Sequence, residues 1–168
     1  MLIRRLGVED AAAYWETRNR GLEEFPEAFT TSIEEGLATE PTALAKRFGG
    51  NGRDDFVLGA FSDDGRLAGY AGFQREARKK RRHTGTLIGM YVVAEFRGTG
   101  LGEQLLQSLI DGVRKLDGME QLNLSVTRSN AGARRLYLRA GFAPYGVERN
   151  GIKVDGVYHD KEYMALVL

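Results

Sequence analysis

Three glycines alternate with other residues in one short loop, a spacing suited to binding phosphate. The loop reads Arg97-Gly98-Thr99-Gly100-Leu101-Gly102, after a predicted strand and before a predicted helix. Glycine lets a backbone turn tightly and approach a ligand closely. The first N–H groups of a helix have no intrahelical partner, and the helix dipole adds partial positive charge there. The loop therefore predicts a pyrophosphate site rather than a plain connector.

Two common phosphate-binding loops do not fit these residues. A P-loop places Lys and then Ser or Thr after its last glycine, whereas Glu103 and Gln104 follow here. A dinucleotide-binding loop needs glycine at position 103 and an acidic residue at the end of the next strand. That strand ends with Thr127 and Arg128, so both interpretations fail on specific residues.

A second group of side chains suited to chemistry lies in residues 130–142. Asn130 is a typical helix N-cap, and Gly141 is a typical C-terminal cap. Between them, Tyr137 shares the inner face of a short predicted helix with Ala133. A tyrosine at such a position is either a core aromatic or a proton donor.

Both segments resemble one known family. Val92-x-x-x-x-Arg97-x-x-Gly100-x-Gly102 resembles the coenzyme A loop of the GNAT N-acetyltransferase superfamily, whose signature is Gln/Arg-x-x-Gly-x-Gly/Ala. Residues 130–142 are similar to the family's Asn-x-x-Ala-x-x-x-Tyr-x-x-x-Gly-Phe motif. The resemblance is specific over residues 84–142, and elsewhere only the order of elements agrees.

The resemblance implies acetyl-CoA as the acetyl donor and gives the first motif its roles. Backbone groups of Met90, Tyr91 and Val92 would hydrogen-bond the pantetheine arm, and one N–H would polarise the thioester carbonyl. Arg97 would orient the loop or meet phosphate. The pyrophosphate would lie on the residues of the loop and the first helical turn, which are Gly98, Thr99, Gly100, Leu101, Gly102 and Glu103.

The second motif supplies the remaining implied roles. Asn130 matches an amide that reaches the pantetheine, a role compatible with capping its helix. Tyr137 matches the general acid of the family. Transfer expels a thiolate, and because a thiol has a pKa of about 8.5, a phenol with a pKa of about 10 is a reasonable proton donor to it.

The resemblance leaves the general base open. Ribosomal-protein alanine N-acetyltransferases of this superfamily carry a glutamate five residues before the motif asparagine, where this chain has Ser125. A hydroxyl does not take up a proton at neutral pH, so Ser125 could at most hold a relay water. The other candidates are Glu23, Glu24 and Glu27, each of which taken singly is more typical of solvated loop charge, and His83, which is expected to face solvent.

The elements that must position these residues follow from hydrophobic periodicity and turn signals. Strands are predicted at 2–6, 56–62, 67–74, 84–93, 122–127, 145–148 and 162–168. Helices are predicted at 8–20, 32–48, 101–116 and 133–140. The second helix starts with a capping box, Ser32 to Glu35, and should end in the glycine-rich stretch 49–52.

This order of elements predicts an α/β fold in a single domain over residues 1–168. The unit from 84 to 127 should form a right-handed parallel β-α-β crossover, and the earlier strands should pair as antiparallel hairpins. We therefore expect a mixed, mostly antiparallel sheet of six to seven strands with helices on both faces. The resemblance implies the same architecture, the acyl-CoA N-acyltransferase fold.

The composition excludes several other kinds of chemistry. The 168 residues include 0 Cys and 2 His, which excludes thiolate sites and argues against a metal site. Because 24 Lys+Arg balance 23 Asp+Glu, no global field favours nucleic acid or a membrane. The basic run 78–82 is therefore expected to be a solvated hairpin tip. Nothing in the sequence is typical of export or of a membrane span, which predicts a cytoplasmic protein.

These observations favour an acetyl-CoA-dependent N-acetyltransferase acting on a primary amine of a small molecule or peptide. One alternative keeps the donor but acetylates a protein N-terminus or lysine, which would require an open groove. Another is a non-catalytic CoA-binding module, against which the presence of Tyr137 argues. Homodimers are common in the family, so a homodimer is a further expectation that the sequence leaves open.

Overall fold

The computed structural model describes residues 1–48 and 54–168, and the predicted helix end at 49–52 lies outside the described residues. The strands are β1 Leu2–Arg5, β2 Phe56–Phe61, β3 Leu67–Arg75, β4 Thr84–Val92, β5 Gln121–Thr127, β6 Ala143–Val154 and β7 Val157–Val167. The helices are α1 Ala11–Glu24, α2 Ile33–Leu37, α3 Pro41–Leu44, α4 Leu101–Arg114 and α5 Ala131–Arg139. Within these ranges, no helix is long and apolar enough to cross a membrane.

The strands form one seven-stranded sheet in the order β1-β2-β3-β4-β5-β7-β6. Strands β4 and β5 pair in parallel, and the other neighbouring pairs are antiparallel. Helix α4 connects the two parallel strands. The structure therefore confirms the mixed, mostly antiparallel sheet and its β-α-β crossover.

Helices cover both faces of this sheet, as predicted. Alternate residues of β2 point to opposite faces, so Phe56 and Leu58 join one hydrophobic cluster while Val57 and Phe61 join the other. The first cluster is closed by the apolar stripe of α4, which consists of Leu101, Leu105, Leu106, Leu109, Ile110 and Val113. The second cluster is closed by α1, through Tyr14.

The two central strands separate soon after they begin. Strand β4 pairs with β5 only from Thr84 to Thr86. A bulge then interrupts the pairing of β4 with β3 at Ile88, and Gly89 takes a φ of 151°, which favours glycine. Beyond Thr86, strands β4 and β5 diverge and leave a gap between them, at the centre of the sheet.

Helix α5 is fixed at both ends by its caps. The Asn130 side chain accepts a hydrogen bond from the N–H of Ala133 at 3.1 Å. At the other end, Gly141 has a φ of 95°, and the N–H of Phe142 donates to the carbonyl of Tyr137 at 3.0 Å. This is a Schellman motif, and the ring of Phe142 packs on that of Tyr137 with 6.0 Å between the ring centroids. The caps therefore set the position of Tyr137.

The bounds of three predicted elements are wrong. The helix predicted over 32–48 keeps its capping box but divides into α2, α3 and a 3₁₀ turn. Pro41 causes the break, since proline lacks an N–H and restricts the residue before it. The two short strands predicted near the C-terminus are the paired strands β6 and β7, which are 12 and 11 residues long. Strand β6 is largely exposed, so it lacks the alternating apolar pattern that would have shown its length.

Candidate active site

Three neighbouring cavities surround the gap between β4 and β5. The α5 cleft, of about 250 Å³, lies between residues 90–92, the glycine loop and α5. The splay cavity, of about 270 Å³, lies between residues 86–90 of β4 and 125–127 of β5. The α1 cavity, of about 600 Å³, lies between α1, α3 and the bulge of β4.

These cavities share walls. Met90, Asn130 and Tyr137 line both the α5 cleft and the splay cavity. Ile88 and Gly89 line both the splay cavity and the α1 cavity. The bulge in β4 therefore places the gap between a space on the α5 side and a larger space on the α1 side.

The end of β4 presents backbone groups to this gap. The N–H of Val93 donates to the carbonyl of Ala68, in β3, at 2.9 Å. Because backbone groups alternate in direction along a strand, those of Tyr91 face β3 and those of Met90 and Val92 face away from it. The carbonyl of Val92 accepts a hydrogen bond from Nε of Arg97 at 2.9 Å. The N–H groups of Met90 and Val92 therefore face the α5 cleft.

The glycine loop has the geometry of an anion site. Gly98 and Gly100 have φ values of 76° and 84°, which glycine adopts without strain. Gly100 is the N-cap of the 14-residue helix α4 and makes no side-chain cap hydrogen bond. A Cβ on Gly98 would meet no atom within 4 Å, so the loop surface is open. Uncapped N–H groups at the start of a long helix fit a pyrophosphate.

Arg97 is held by an acidic residue of α1. Its guanidinium donates to both carboxylate oxygens of Glu24, with Nη2 at 2.7 Å from Oε2. The Cζ atom of the same guanidinium lies 4.9 Å from the ring centroid of Phe25 and 5.4 Å from that of Tyr91. Of the two roles predicted for Arg97, the geometry favours orienting the loop over meeting phosphate.

The contacts of Glu24 make it a poor general base. Its hydrogen bonds from Arg97 and from the hydroxyl of Tyr91, the latter at 2.7 Å, lower the pKa of Glu24 to about 2. Burial and the hydrogen bond to Glu24 raise the pKa of Tyr91 to about 12. A carboxylate with so low a pKa does not take a proton from an amine effectively.

Tyr137 lies at the junction of the α5 cleft and the splay cavity. Its side chain is buried, and its hydroxyl has no hydrogen-bond partner within the part of the chain that the structure describes. Burial raises the pKa of Tyr137 to about 12, so the phenol stays protonated at neutral pH. Asn130 lies beside it, and because its side-chain oxygen caps α5, its amide nitrogen is the group left for a ligand.

The other predicted bases lie in different places. Ser125 is exposed and lines the splay cavity. Glu23 is exposed at the end of α1, and His83 is exposed just before β4. The backbone carbonyl of Glu27 accepts a hydrogen bond from Thr127 Oγ1 at 2.6 Å, which ties residues 26–28 to β5. The three cavities are not lined by Glu23, Glu27 or His83.

Sequence reasoning missed the residues of the α1 cavity. Tyr14 and Arg18 lie one helical turn apart on the buried face of α1. The available signal was a charged residue four positions after an aromatic one within a predicted helix. Asp55, just before β2, and Tyr70, in β3, line the same cavity.

A sheet that splays at its central parallel strands, with a glycine loop opening the crossover helix, is the acyl-CoA N-acyltransferase fold. The chain belongs to the acetyltransferase (GNAT) family, whose model matches residues 16–142. The resemblance predicted from the two sequence motifs is thereby confirmed. Among residues 1–48 and 54–168, no cluster of three potential metal-ligating side chains is found.

Solved structures of this family are similar over nearly the whole chain. An acetyltransferase of the GNAT family from Streptococcus pneumoniae is 25% identical, with a TM-score of 0.88, covering 99% of this chain and 98% of its own. The protein yncA from Salmonella typhimurium, solved with its cofactor acetyl-CoA, is 27% identical, with a TM-score of 0.79 and coverage of 99% and 93%. The ribosomal-protein-S18-alanine N-acetyltransferase from Escherichia coli is 25% identical, with a TM-score of 0.75 and coverage of 99% and 92%. A comparison with curated proteins gives no match.

Proposed function

We propose that the protein is an N-acetyltransferase that moves the acetyl group of acetyl-CoA to a primary amine of a small molecule. The observation that carries this proposal is that the splay cavity, at the gap between β4 and β5, adjoins the α5 cleft on one side and the larger α1 cavity on the other. Tyr137 lies where the α5 cleft meets the splay cavity, with a protonated hydroxyl that has no hydrogen-bond partner in the described part of the chain. One cavity can therefore hold the donor while the other holds the acceptor.

Family membership gives acetyl-CoA as the donor, and the residues present fit it. The uncapped start of α4, with Gly98 to Glu103, suits the pyrophosphate. The N–H groups of Met90 and Val92 suit the pantetheine arm and the thioester carbonyl. Asn130 can add its amide nitrogen from the facing helix.

The reaction proceeds by direct attack. The amine nitrogen forms a bond to the thioester carbon, and the carbon–sulfur bond breaks. A β4 N–H stabilises the carbonyl oxygen while negative charge develops on it. Tyr137 gives its proton to the departing sulfur, which leaves as the thiol. The nitrogen carries one proton more than the amide product needs, and it gives this proton through water to the Tyr137 phenolate.

The amine must lose a proton before it attacks, and Asp55 is the best placed group to accept it. Asp55 is the one acidic residue among the described residues that line the three cavities. One of its oxygens accepts a hydrogen bond from the N–H of Arg75 at 2.8 Å, which holds the carboxylate in place. A proton can reach it through water in the α1 cavity.

A small acceptor suits the α1 cavity better than a protein chain does. Its volume of about 600 Å³ lies within the usual range for small-molecule sites. Residues 29–31 and the end of α3 cover it from above the sheet. Acetylation of a protein N-terminus or lysine would need a more open groove.

The first experiment is the thermal unfolding of the protein with acetyl-CoA, and with NADH and ATP as controls. A ligand at 100 times its Kd stabilises the folded state by about 2.7 kcal/mol. For a domain of this size, the Tm should rise by roughly 5–10 °C with acetyl-CoA alone. Release of thiol with a panel of amines then tests transfer. No shift at millimolar acetyl-CoA would refute the proposal, and a shift without any transfer would favour the non-catalytic alternative.

A further inference from the structure

Arg18 is an unusual residue for the buried face of α1. Arg18 is only 7% exposed, and it lines the α1 cavity. Its Nη1 is buried and has no hydrogen-bond partner among the described residues. Leaving a buried charged donor unpaired is unfavourable for folding, so its retention calls for a ligand that pairs with it.

The surroundings of Arg18 are positively charged. Lys46 and Arg47 line the same cavity from the turn after α3, and Asp55 is the acidic residue there. No ion pair joins Arg18, Lys46 or Arg47 to an acidic group in the described part of the chain. Residues 49–53 read Gly-Gly-Asn-Gly-Arg and contain no acid. The cavity wall thus holds three cationic side chains against one carboxylate.

Two phenols complete this wall with neutral donors. Tyr14 and Tyr70 pack edge to face at 4.9 Å between ring centroids. Burial raises the pKa of both, while nearby Arg18 and Arg47 oppose the shift. Both hydroxyls are therefore protonated at neutral pH and can donate to an anion.

From this geometry we propose that the acceptor is a small amine that also carries a carboxylate or another oxyanion, bound by the Arg18 guanidinium. This inference rests on the proposed function, since it names the substrate class of the same site. A planar guanidinium matches an oxyanion through two parallel hydrogen bonds. The amine end then lies toward Ile88 and Gly89, where the α1 cavity meets the splay cavity.

Matched pairs of acceptors test the charge requirement. L-amino acids are compared with their C-terminal amides, starting with L-leucine and L-leucinamide, and phosphoethanolamine is compared with ethanolamine. We expect kcat/KM to be about 10- to 100-fold higher for the anionic member of at least one pair. The first pair reports a carboxylate and the second a phosphate. Equal or better turnover of the neutral members would overturn the inference.

Variants of Arg18 assign the effect to this residue. Arg18→Gln should lower kcat/KM for the anionic acceptor about 10- to 100-fold and leave the neutral acceptor nearly unchanged. Arg18→Lys keeps the positive charge but cannot form two parallel hydrogen bonds. Its kcat/KM for the anionic acceptor should therefore fall less than that of Arg18→Gln. Arg149→Gln, at an exposed ion pair on β6, is the matched control and should behave as wild type. An equal loss for both acceptors in Arg18→Gln would contradict a role in recognising the anion.

Two further measurements separate this inference from the proposed function. Because Nη1 of Arg18 has no partner among the described residues, Arg18→Gln should unfold at the same temperature as wild type or higher, with its acetyl-CoA shift intact. In the presence of CoA, the acetylated product N-acetyl-L-leucine should raise the Tm of wild type and not of Arg18→Gln. If acetyl-CoA shifts the Tm and neutral amines are acetylated but no anion effect is seen, only the inference fails. If neither a shift nor transfer occurs, the proposed function fails with it.

Discussion

Tyr137 is a buried residue whose hydroxyl has no hydrogen-bond partner within residues 1–48 and 54–168. The Schellman motif at Gly141 and the packing of Phe142 hold its ring, so the hydroxyl is not needed to fix the side chain. At this junction between two cavities, an available hydroxyl is consistent with a role in proton transfer.

We expect Tyr137→Phe to keep its fold and its affinity for acetyl-CoA while kcat falls about 100-fold or more. The substitution keeps the ring that packs on Phe142 and removes only the proton donor. Because the pKa of Tyr137 is about 12, its ionisation should not limit the rate between pH 7 and 9. Tyr145→Phe, at an exposed tyrosine of β6, is the control and should leave kcat unchanged. Unchanged turnover of Tyr137→Phe across that pH range would exclude the general-acid role.

At the residue level, sequence predicted the donor side of the site better than the acceptor side. Arg97 and Tyr137 lie where their motifs placed them, because each follows a local signal: a strand-to-helix loop or a capped helix. Their catalytic and binding roles stay predictions. Arg18 and Asp55 come from elements far apart in the chain, and only the sheet brings them to one cavity.

At the level of elements, the glycine loop and α4 form one unit. The backbone of Gly98 needs a positive φ, and the loop surface beside it is open. Gly65, in the β2–β3 turn, has nearly the same conformation, with a φ of 81°, and a Cβ at this position would meet no atom within 4 Å. Both glycines therefore need a positive φ, but only Gly98 lies in the glycine loop.

This pair allows a controlled test of the loop. Gly98→Ala and Gly65→Ala should each lower the free energy of unfolding by about 1–2 kcal/mol, because alanine is strained at positive φ. Only Gly98→Ala should also weaken acetyl-CoA binding, about 10-fold or more, since its methyl group would occupy the space of the ligand. Urea unfolding and titration calorimetry measure the two effects. Equal acetyl-CoA affinities in the two variants would place the pyrophosphate elsewhere.

The elements themselves were predictable where the local pattern was strong. The apolar repeat of α4 and the alternation in β5 gave their positions correctly. The gap between β4 and β5 was not predictable, because it depends on a bulge at Ile88 that arises from pairing with β3. Pro41 did carry a local signal for the break between α2 and α3, and periodicity alone overlooked it.

At the level of the whole molecule, the two faces of the sheet are connected at the site. The ion pair between Glu24 and Arg97 joins α1 on one face to the loop that opens α4 on the other, across 73 residues of sequence. The hydrogen bond from Thr127 to the carbonyl of Glu27 joins β5 to the segment after α1 in the same way. The site is thus built from long-range contacts that also stabilise the fold.

The ion pair makes the stability of the whole fold depend on pH. The pKa of Glu24 is lowered from its ordinary value of 4.5 to about 2, mainly by its hydrogen bonds from Arg97. A depressed carboxylate pKa stabilises the folded state above pH 4.5, and this stabilisation is lost as the pH falls toward 2. Since both side chains are about one-third exposed, we expect Glu24→Gln to lower the free energy of unfolding by only about 1 kcal/mol at pH 7.

Urea unfolding of wild type and Glu24→Gln from pH 7 to pH 3.5 measures this contribution. The difference between the two proteins should be constant above about pH 5.5 and should shrink below pH 4.5, because the wild-type carboxylate then loses its advantage over the neutral amide. Glu23→Gln, at the exposed neighbouring residue, should show no such trend. If the difference in the free energy of unfolding were as large at pH 3.5 as at pH 7, then Glu24→Gln would destabilise the fold through altered packing alone. The connection between the two faces would then not depend on the charge of Glu24.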